Sequence, residues 1–247
     1  MNRPLTAVIV DDEDLARGLL REYLSSLPAI TVIAECGNGF DAVKTITDLQ
    51  PDIVFLDIQM PKLSGFEVLE LLEKPPAVVF VTAFDQFALK AFDVHAVDYL
   101  LKPYSQERLR EAVDHAIERM QRNVPHNFSE IARAARPAGE YLERILIKEG
   151  NKVHVFPAEK IDYIEAQDDY VSFRVEGKSY LKLQRLSELE SSLDPKRFVR
   201  IHRSFLLNIE RLSKLELYAK DSRTAILKDG TTLSVSRAGY DKLKELL

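Results

Sequence analysis

Acidic, basic and hydroxyl side chains suited to phosphoryl chemistry adjoin four apolar runs in the first half of the sequence. Asp11 and Asp12 follow one run, Asp57 follows another, Thr82 ends a third and Lys102 follows a fourth. Carboxylates that meet at one point repel one another unless a cation neutralises them, and oxygen ligands around open positions suit Mg²⁺. A lysine and a hydroxyl at the same point can bind the remaining oxygens of a phosphoryl group. The sequence therefore predicts a Mg²⁺-dependent phosphoryl site, provided that the fold gathers these residues.

The first half of the chain alternates apolar runs of strand length with amphipathic segments of helix length. Strands are expected at residues 5–10, 30–35, 53–56, 78–82 and 97–101. Helices are expected at residues 13–27, 40–49, 65–72, 86–93 and 106–122. The strands are nearly all apolar, as in parallel strands that are covered on both faces. This order predicts an α/β domain with a doubly wound, five-stranded parallel sheet, whose functional site lies at the carboxyl ends of the strands.

The second half of the chain has a different pattern. Residues 123–142 interrupt the alternation and are interpreted as a polar linker between domains at residues 1–122 and 143–247. The later segments are shorter and read as strands, apart from two short helices expected at residues 186–193 and 237–246. Turn residues typical of hairpins separate the strands, at Gly150-Asn151, Gly177-Lys178 and Asp229-Gly230. The second domain is therefore predicted to be mainly antiparallel β.

Composition and charge narrow the class of protein. The chain is 46% hydrophobic and 30% charged, with a net charge of −5, which is typical of a globular protein. No apolar run reaches the length of a membrane helix, no secretory signal opens the sequence and Cys36 is the single cysteine, so a cytoplasmic protein without membrane insertion is expected. Residues 1–120 carry 20 Asp/Glu and 11 Lys/Arg, whereas residues 121–247 carry 19 and 23. This asymmetry indicates two domains with different partners, of which the second suits a polyanion.

Residues 5–120 resemble a response-regulator receiver domain. The resemblance is carried by Asp11-Asp12, Asp57 with Met60-Pro61, Thr82-Ala83 and Lys102-Pro103, in this order. It implies that a histidine kinase phosphorylates Asp57, that Asp12, Asp57 and the backbone carbonyl of Gln59 bind Mg²⁺ directly, and that Asp11 acts mainly through water. It also implies that Lys102 pairs with the phosphoryl group, that the Lys102-Pro103 bond is cis, and that Thr82 and Tyr99 shift together to transmit phosphorylation.

Residues 143–247 resemble a LytTR-type DNA-binding domain, as in the LytR/AlgR regulators. The resemblance rests on the segments at residues 164–171, 198–208 and 233–237. It implies a β fold that inserts loops into successive major grooves, and a dimer that binds paired direct repeats in promoter DNA.

The residue chemistry of this half agrees with DNA binding. Arginine suits bidentate contact with guanine and basic side chains suit phosphates. The candidate contacts are Arg203 and Arg237, then Arg200, His202 and Ser204, with Lys182 and Arg185 at phosphates and Gln167, Asp169 and Tyr170 in a further loop. Asp168 and Asp169 would repel phosphates, which leaves the individual roles in that loop open.

Three alternatives for the second half remain open from the sequence: an RNA-binding domain, a protein-interaction module and a catalytic domain, although no nucleophile cluster, metal-ligand group or phosphate loop supports the last. In the first half, Gly37-Asn38-Gly39 loosely matches a dinucleotide-binding loop, but it follows the second strand rather than the first. Apolar surface near the helix at residues 86–93 is the predicted contact of a dimer that forms on phosphorylation, through Phe84, Phe87, Phe92 and His95.

Overall fold

The structure of the protein, a computed structural model, describes residues 3–84, 96–121, 141–150, 152–217 and 223–246. The chain divides into two units, residues 1–138 and 139–247. The helix expected at residues 86–93 and nearly all of the expected linker at residues 123–142 lie outside the described residues, so both stay predictions, as do the domain boundaries. Within the described ranges, no helix has the length and apolar composition needed to cross a bilayer.

The first unit contains a five-stranded parallel sheet with the strand order β2-β1-β3-β4-β5. Its strands are β1 (Leu5–Val10), β2 (Ile30–Cys36), β3 (Ile53–Leu56), β4 (Ala77–Thr82) and β5 (Asp98–Leu101). Its described helices are α1 (Asp14–Ser25), α2 (Gly39–Leu49), α3 (Gly65–Glu70) and α4 (Gln106–Gln121). The predicted doubly wound parallel sheet is confirmed, and the strand bounds differ from the predicted ones by at most one residue.

Helices cover both faces of the parallel sheet, which explains why its strands are apolar throughout. On one face, Leu20 and Leu24 of α1 and Leu109 and Val113 of α4 pack against the sheet around Phe55. On the other face, α3 places Phe66 against Phe80 of β4, with ring centroids 5.0 Å apart. Local capping fixes the starts of these helices, since Asn38 accepts from the backbone of Asp41 and Ser64 forms a capping box with Glu67.

A buried carboxylate ties β5 to α4. The Asp98 side chain is 6% exposed and accepts hydrogen bonds from the Tyr99 backbone N–H at 2.7 Å, from Nη1 of Arg108 at 3.2 Å and from Nη2 of Arg108. Nδ1 of His115 lies 2.7 Å from its Oδ2. Burial acts to raise the pKa of Asp98, but the hydrogen bonds from Arg108, Tyr99 and His115 outweigh it and hold the pKa below its usual value of 3.8.

The Asp98→Asn variant should destabilise the first unit at neutral pH by about 1–3 kcal/mol, because it removes a buried charge acceptor. A pKa that is lower in the folded state stabilises the fold above about pH 4, and this contribution is lost as the pH falls through the folded-state pKa. The difference between wild type and variant should therefore shrink below about pH 4. Urea unfolding of both proteins at pH 7 and at about pH 3 measures this difference, and hydrogen exchange of α4 reports where the stability is lost. The exposed Asp114→Asn change in α4 is the control, and an equal loss in both variants would contradict the assignment.

The described residues of the second unit form three antiparallel sheets, two α-helices and short 3-10 helices at Ala158–Lys160 and Ile209–Arg211. A two-stranded sheet pairs β6 (Arg144–Glu149) with β7 (Lys152–Pro157). A five-stranded sheet has the order β10-β9-β8-β12-β11, and a three-stranded sheet has the order β13-β14-β15. The strands of the two larger sheets are β8 (Ile161–Gln167), β9 (Tyr170–Val175), β10 (Lys178–Leu183), β11 (Phe198–His202), β12 (Phe205–Asn208), β13 (Leu212–Leu217), β14 (Arg223–Leu227) and β15 (Thr232–Val235). The helices are α5 (Leu186–Ser192) and α6 (Arg237–Leu246), so the predicted mainly antiparallel β fold is confirmed.

The two faces of the five-stranded sheet contribute to two separate cores. Ile164, Phe173 and Leu206 project to one face, where α5 and the β6–β7 hairpin cover them. Val199 and Leu207 project to the other face, where they meet the three-stranded sheet and α6. Side chains of successive strand residues alternate between faces, so a strand with apolar residues on both faces can serve two cores. The β8–β9 and β11–β12 loops lie together at the end of the sheet where β8 and β11 end.

Candidate functional sites

The carboxyl ends of the parallel strands bring the predicted phosphoryl site together. Val10 and Leu56 are neighbours in the sheet, so the residues that follow them, Asp11 and Asp57, emerge side by side. The Asp57 N–H donates to the Val10 carbonyl at 2.8 Å. On the other side, the Lys102 N–H donates to the carbonyl of Thr82 at 2.8 Å. Four segments far apart in sequence therefore meet at one edge of the sheet, as predicted.

One ammonium group bridges two carboxylates at this edge. Nζ of Lys102 lies 2.7 Å from Oδ2 of Asp11 and 3.0 Å from Oδ2 of Asp57. Each of Asp11, Asp12 and Asp57 offers a carboxylate oxygen, and these oxygens lie within 4.8 Å of one another. Asp57 is 6% exposed, whereas Asp12 is exposed. The site thus has a deep side formed by Asp11 and Asp57 and an open side at Asp12.

The electrostatics of the site favour a charged lysine and leave negative charge to be balanced. Burial acts to lower the pKa of Lys102, but hydrogen bonds and charge interactions with Asp11 and Asp57 outweigh it and raise this pKa. Burial raises the pKa of Asp11, and the hydrogen bond from Lys102 opposes the rise only in part. The raised pKa of Lys102 favours its charged form and so favours the ion pair. The raised pKa of Asp11 disfavours its charged form, because the Asp11 side chain is buried more deeply than that of Lys102. A single ammonium therefore does not satisfy three neighbouring carboxyl groups, and the site suits an additional cation.

Thr82 and Tyr99, the predicted switch pair, are both buried. The Thr82 side chain has no solvent exposure, and its Oγ1 has no hydrogen-bond partner among the described residues. A buried hydroxyl without a partner is costly, and a ligand oxygen would satisfy it. The Tyr99 hydroxyl donates to the carbonyl of Phe84, two residues beyond Thr82. The Lys102-Pro103 bond is cis, as the resemblance implied, and the Gln59 N–H donates to Oδ1 of Asp57 at 3.2 Å.

Two residues that the sequence did not single out hold the acidic loops in place. Nη1 of Arg17 on α1 donates to the backbone carbonyl of Asp11 at 2.7 Å. At Gly65, a side-chain Cβ would lie 2.3 Å from the Asp57 carbonyl oxygen, so the start of α3 can approach Asp57 only without a side chain. A glycine directly after the capping serine Ser64 was the available signal for this close approach.

In the second unit, three loops meet at the edge of the five-stranded sheet where β8 ends. The Ala166 N–H donates to the carbonyl of Ser204 at 2.9 Å, which joins the end of β8 to the β11–β12 loop. Ser236, just before α6, donates from its N–H at 2.8 Å and from Oγ at 3.0 Å to the carbonyl of Ile201. Ser236 Oγ also accepts from the Gly239 N–H at 3.1 Å and so caps α6. This edge, formed by residues 167–170, 183–185, 202–204 and 236–237, is called the loop edge below.

Most of the predicted DNA contacts lie at the loop edge. Six of them are exposed there: Gln167, Asp169, Tyr170, Arg185, Arg203 and Arg237. His202, Ser204 and Lys182 are half-buried. Nδ1 of His202 accepts from the Ser204 N–H at 3.3 Å, which supports the predicted part of His202 in shaping its loop. The structure therefore brings the predicted residues to one surface, and their individual roles stay predictions.

Arg200, another predicted DNA contact, is hydrogen-bonded within the second unit. Its Nε donates to the carbonyl of His202 at 2.8 Å, and its Nη2 donates to the carbonyl of Arg203. Its Nη1 lies 3.2 Å from Oε2 of Glu190 on α5, and the other oxygen of Glu190 is 3.1 Å from Nζ of Lys242 on α6. The guanidinium group is thus engaged with the backbone of the β11–β12 loop, and the role of Arg200 as a DNA contact stays a prediction.

Comparison with known protein families identifies a domain in each half of the chain. Residues 7–114 match the response regulator receiver domain, and residues 151–247 match the LytTr DNA-binding domain. A receiver domain followed by a DNA-binding domain defines a response regulator, and no catalytic domain is indicated.

Relatives match over nearly the whole chain. An uncharacterized response regulatory protein of Vibrio cholerae is 39% identical over 232 residues, which are 87% of this chain and 88% of that protein. The sensory transduction protein LytT of Enterococcus faecalis is 34% identical over 243 residues, which are 97% of this chain and 98% of that protein. Among solved structures, the response regulatory domain of protein mrkE from Klebsiella pneumoniae is 28% identical, with a TM-score of 0.45 over 48% of this chain and 100% of that domain. The chain belongs to the LytTR family of response regulators.

Proposed function

We propose that a histidine kinase phosphorylates Asp57, and that phosphorylation controls sequence-specific binding of the second domain to promoter DNA. The observation that carries the proposal is the convergence of Lys102 with Asp57 and Asp11 at 3.0 and 2.7 Å. In the reaction, a carboxylate oxygen of Asp57 forms a bond to phosphorus while the bond from phosphorus to the kinase histidine breaks. Action on promoter DNA would place the protein in the cytoplasm.

The acidic cluster fits Mg²⁺, which takes oxygen ligands and keeps several waters. Asp12, Asp57 and the Gln59 carbonyl would hold the ion directly, and Asp11 would act mainly through water. The close approach of three carboxylate oxygens, within 4.8 Å, supports this assignment. When bound, Mg²⁺ supplies positive charge that offsets the carboxylates and the incoming phosphoryl oxygens.

The protein's own residues supply the remaining contacts. The ammonium of Lys102 already lies within hydrogen-bond distance of Asp57, so it is positioned to pair with a phosphoryl oxygen on that residue. The Thr82 hydroxyl, buried without a described partner, would donate to another oxygen. Movement of Thr82 toward the phosphoryl group would alter the loop whose Phe84 carbonyl accepts from Tyr99. A dimer that forms in response would place two DNA-binding domains on paired direct repeats and raise affinity by effective concentration.

Selection of bound duplexes from a random DNA pool, with and without beryllofluoride and Mg²⁺, tests the proposal. Beryllofluoride stands in for the phosphoryl group on Asp57. We expect enrichment of one sequence in two copies, with tighter binding in the presence of beryllofluoride. Failure to enrich any DNA sequence would contradict sequence-specific binding, and equal binding under both conditions would contradict control by Asp57. Competition with duplex RNA distinguishes the RNA-binding alternative.

The Arg200→Ala variant should weaken binding to the selected duplex by about 1–3 kcal/mol, as should Arg203→Ala. Arg200→Ala should also differ in salt dependence from Arg185→Ala, which removes a candidate phosphate contact. A lost phosphate contact lowers the slope of log K against log salt by about 1, whereas Arg200 is engaged with loop carbonyls and Glu190 and should leave the slope unchanged.

Arg200→Lys is the matched control because it keeps the charge and loses the planar fork that bonds two carbonyls. It should bind DNA as poorly as Arg200→Ala. Full binding by the lysine variant, or a reduced salt slope in the alanine variant, would show instead that Arg200 contacts DNA.

A further inference from the structure

Two exposed apolar side chains lie at the loop edge beside the basic residues. Tyr170 begins β9 and Leu183 ends β10, and they form the last pair of the antiparallel ladder between these strands. Tyr170 is 48% exposed and Leu183 is 69% exposed. Directly paired residues of an antiparallel ladder project to the same face. The pair therefore forms one apolar surface at the end of the sheet.

This apolar surface adjoins the proposed DNA interface. Tyr170 is also paired with Gln167 across the β8–β9 ladder, and the neighbouring Ala166 is hydrogen-bonded to Ser204 in the β11–β12 loop. Arg185 is exposed two residues beyond Leu183. A strand alternates its side chains, so Leu183 projects to the opposite face from Lys182. The apolar pair therefore lies beside Gln167 and close to Arg185 in the chain, at the end of the sheet that carries the proposed DNA contacts.

The chemistry of the major groove offers one apolar group to such a surface. Base edges there present hydrogen-bond donors and acceptors, and thymine presents in addition its apolar C5 methyl group. Phosphates and sugars are better matched by the candidate phosphate contacts Lys182 and Arg185. We propose that Tyr170 and Leu183 contact the methyl group of a thymine and so contribute to sequence selection. The proposal rests on the proposed function, because it assigns a specificity contact within the same DNA interface.

Removal of the methyl group from DNA tests the contact directly. The full-length protein with beryllofluoride and Mg²⁺ is titrated with the selected duplex and with duplexes in which single thymines are replaced by deoxyuridine. For the wild type, replacement of one contacted thymine should weaken binding about fourfold, as expected for one buried methyl group. Leu183→Ala should bind the thymine duplex about fourfold more weakly for each half-site and should show no further loss on the deoxyuridine duplex.

Leu181→Ala is the matched control. Leu181 is 53% exposed and lies on the same strand and face as Leu183, but two residues, or roughly 7 Å, away from the loop edge. It should keep the full fourfold response to deoxyuridine. Thermal unfolding of each variant checks that these exposed substitutions leave the fold intact.

The outcomes separate this inference from the proposed function. If no thymine replacement weakens binding of the wild type, or if Leu183→Ala keeps the wild-type response, the methyl contact is overturned while sequence-specific binding stands. The same holds if Leu181→Ala loses the response as well, because the contact would then not lie at the loop edge. If no DNA sequence is enriched at all, the proposed function fails and the inference fails with it.

Discussion

The Asp57→Ala variant is expected to take up no phosphoryl group from a histidine kinase or a small phosphodonor, and to lose beryllofluoride-induced dimerisation. The loss should be complete, since alanine has no oxygen to form the bond to phosphorus. The fold should persist, because Lys102 keeps its second partner, Asp11, at 2.7 Å. Mass spectrometry of the intact chain measures the uptake, and analytical ultracentrifugation measures the dimer.

A control for this experiment is Asp48→Ala, which removes an exposed carboxylate near the end of α2, before β3 begins. It should be phosphorylated like the wild type. Phosphoryl uptake by Asp57→Ala would show that another carboxylate is the acceptor, with the neighbouring Asp11 and Asp12 as the first candidates. Dimerisation of Asp57→Ala with beryllofluoride would refute the proposed switch.

The Gly239→Ala variant should destabilise the second unit by about 3 kcal/mol and weaken DNA binding. A Cβ at residue 239 would lie 2.0 Å from the carbonyl oxygen of Ile201 and 2.5 Å from its carbonyl carbon. These are backbone atoms of β11, so the clash cannot be relieved by rotating a side chain. Because Ile201 precedes the β11–β12 loop and Gly239 lies in the first turn of α6, separation of the two elements would displace both Arg203 and Arg237.

Gly18→Ala in α1 is the matched control for this change. A Cβ there meets no atom within 4 Å, and alanine is favoured over glycine within a helix, so this variant should be stabilised by about 0.5–1 kcal/mol. Thermal unfolding and titration of the selected duplex measure both variants. A stable, fully binding Gly239→Ala variant would contradict the close packing of α6 on β11.

Local sequence patterns predicted the secondary-structure elements of the first unit and the meeting of Asp11, Asp57 and Lys102 at one edge of its sheet. Strands β1 and β3 were predicted with the bounds that the structure has, because apolar runs end where polar residues begin. The carboxylates, Thr82 and Lys102 all adjoin such strand ends, and parallel strands present their carboxyl ends at one edge. Once the order of elements indicated a parallel sheet, the meeting of these residues followed.

Contacts that depend on how elements rotate and approach one another were not predicted. Asp98 interrupts an apolar strand, and Arg108 and His115 follow on one helix face, but their pairing depends on the orientation of α4 over β5. The charge of Arg200 is visible in the sequence and led to its prediction as a DNA contact. Its hydrogen bonds to the backbone carbonyls of the β11–β12 loop depend on the fold and were not predicted. The predicted dimer surface at Phe87, Phe92 and His95 lies outside the described residues and stays a prediction.

At the loop edge, main-chain carbonyls accept the hydrogen bonds that hold neighbouring segments together. The Ser204 carbonyl accepts from Ala166, and the Ile201 carbonyl accepts from Ser236. These bonds do not depend on which side chains stand at Gln167, Arg203 or Arg237. If these residues contact DNA as proposed, substitutions there are expected to change the recognised sequence without breaking these hydrogen bonds. A scaffold of this kind allows duplicated regulators to acquire separate sets of target genes while they inherit the same architecture.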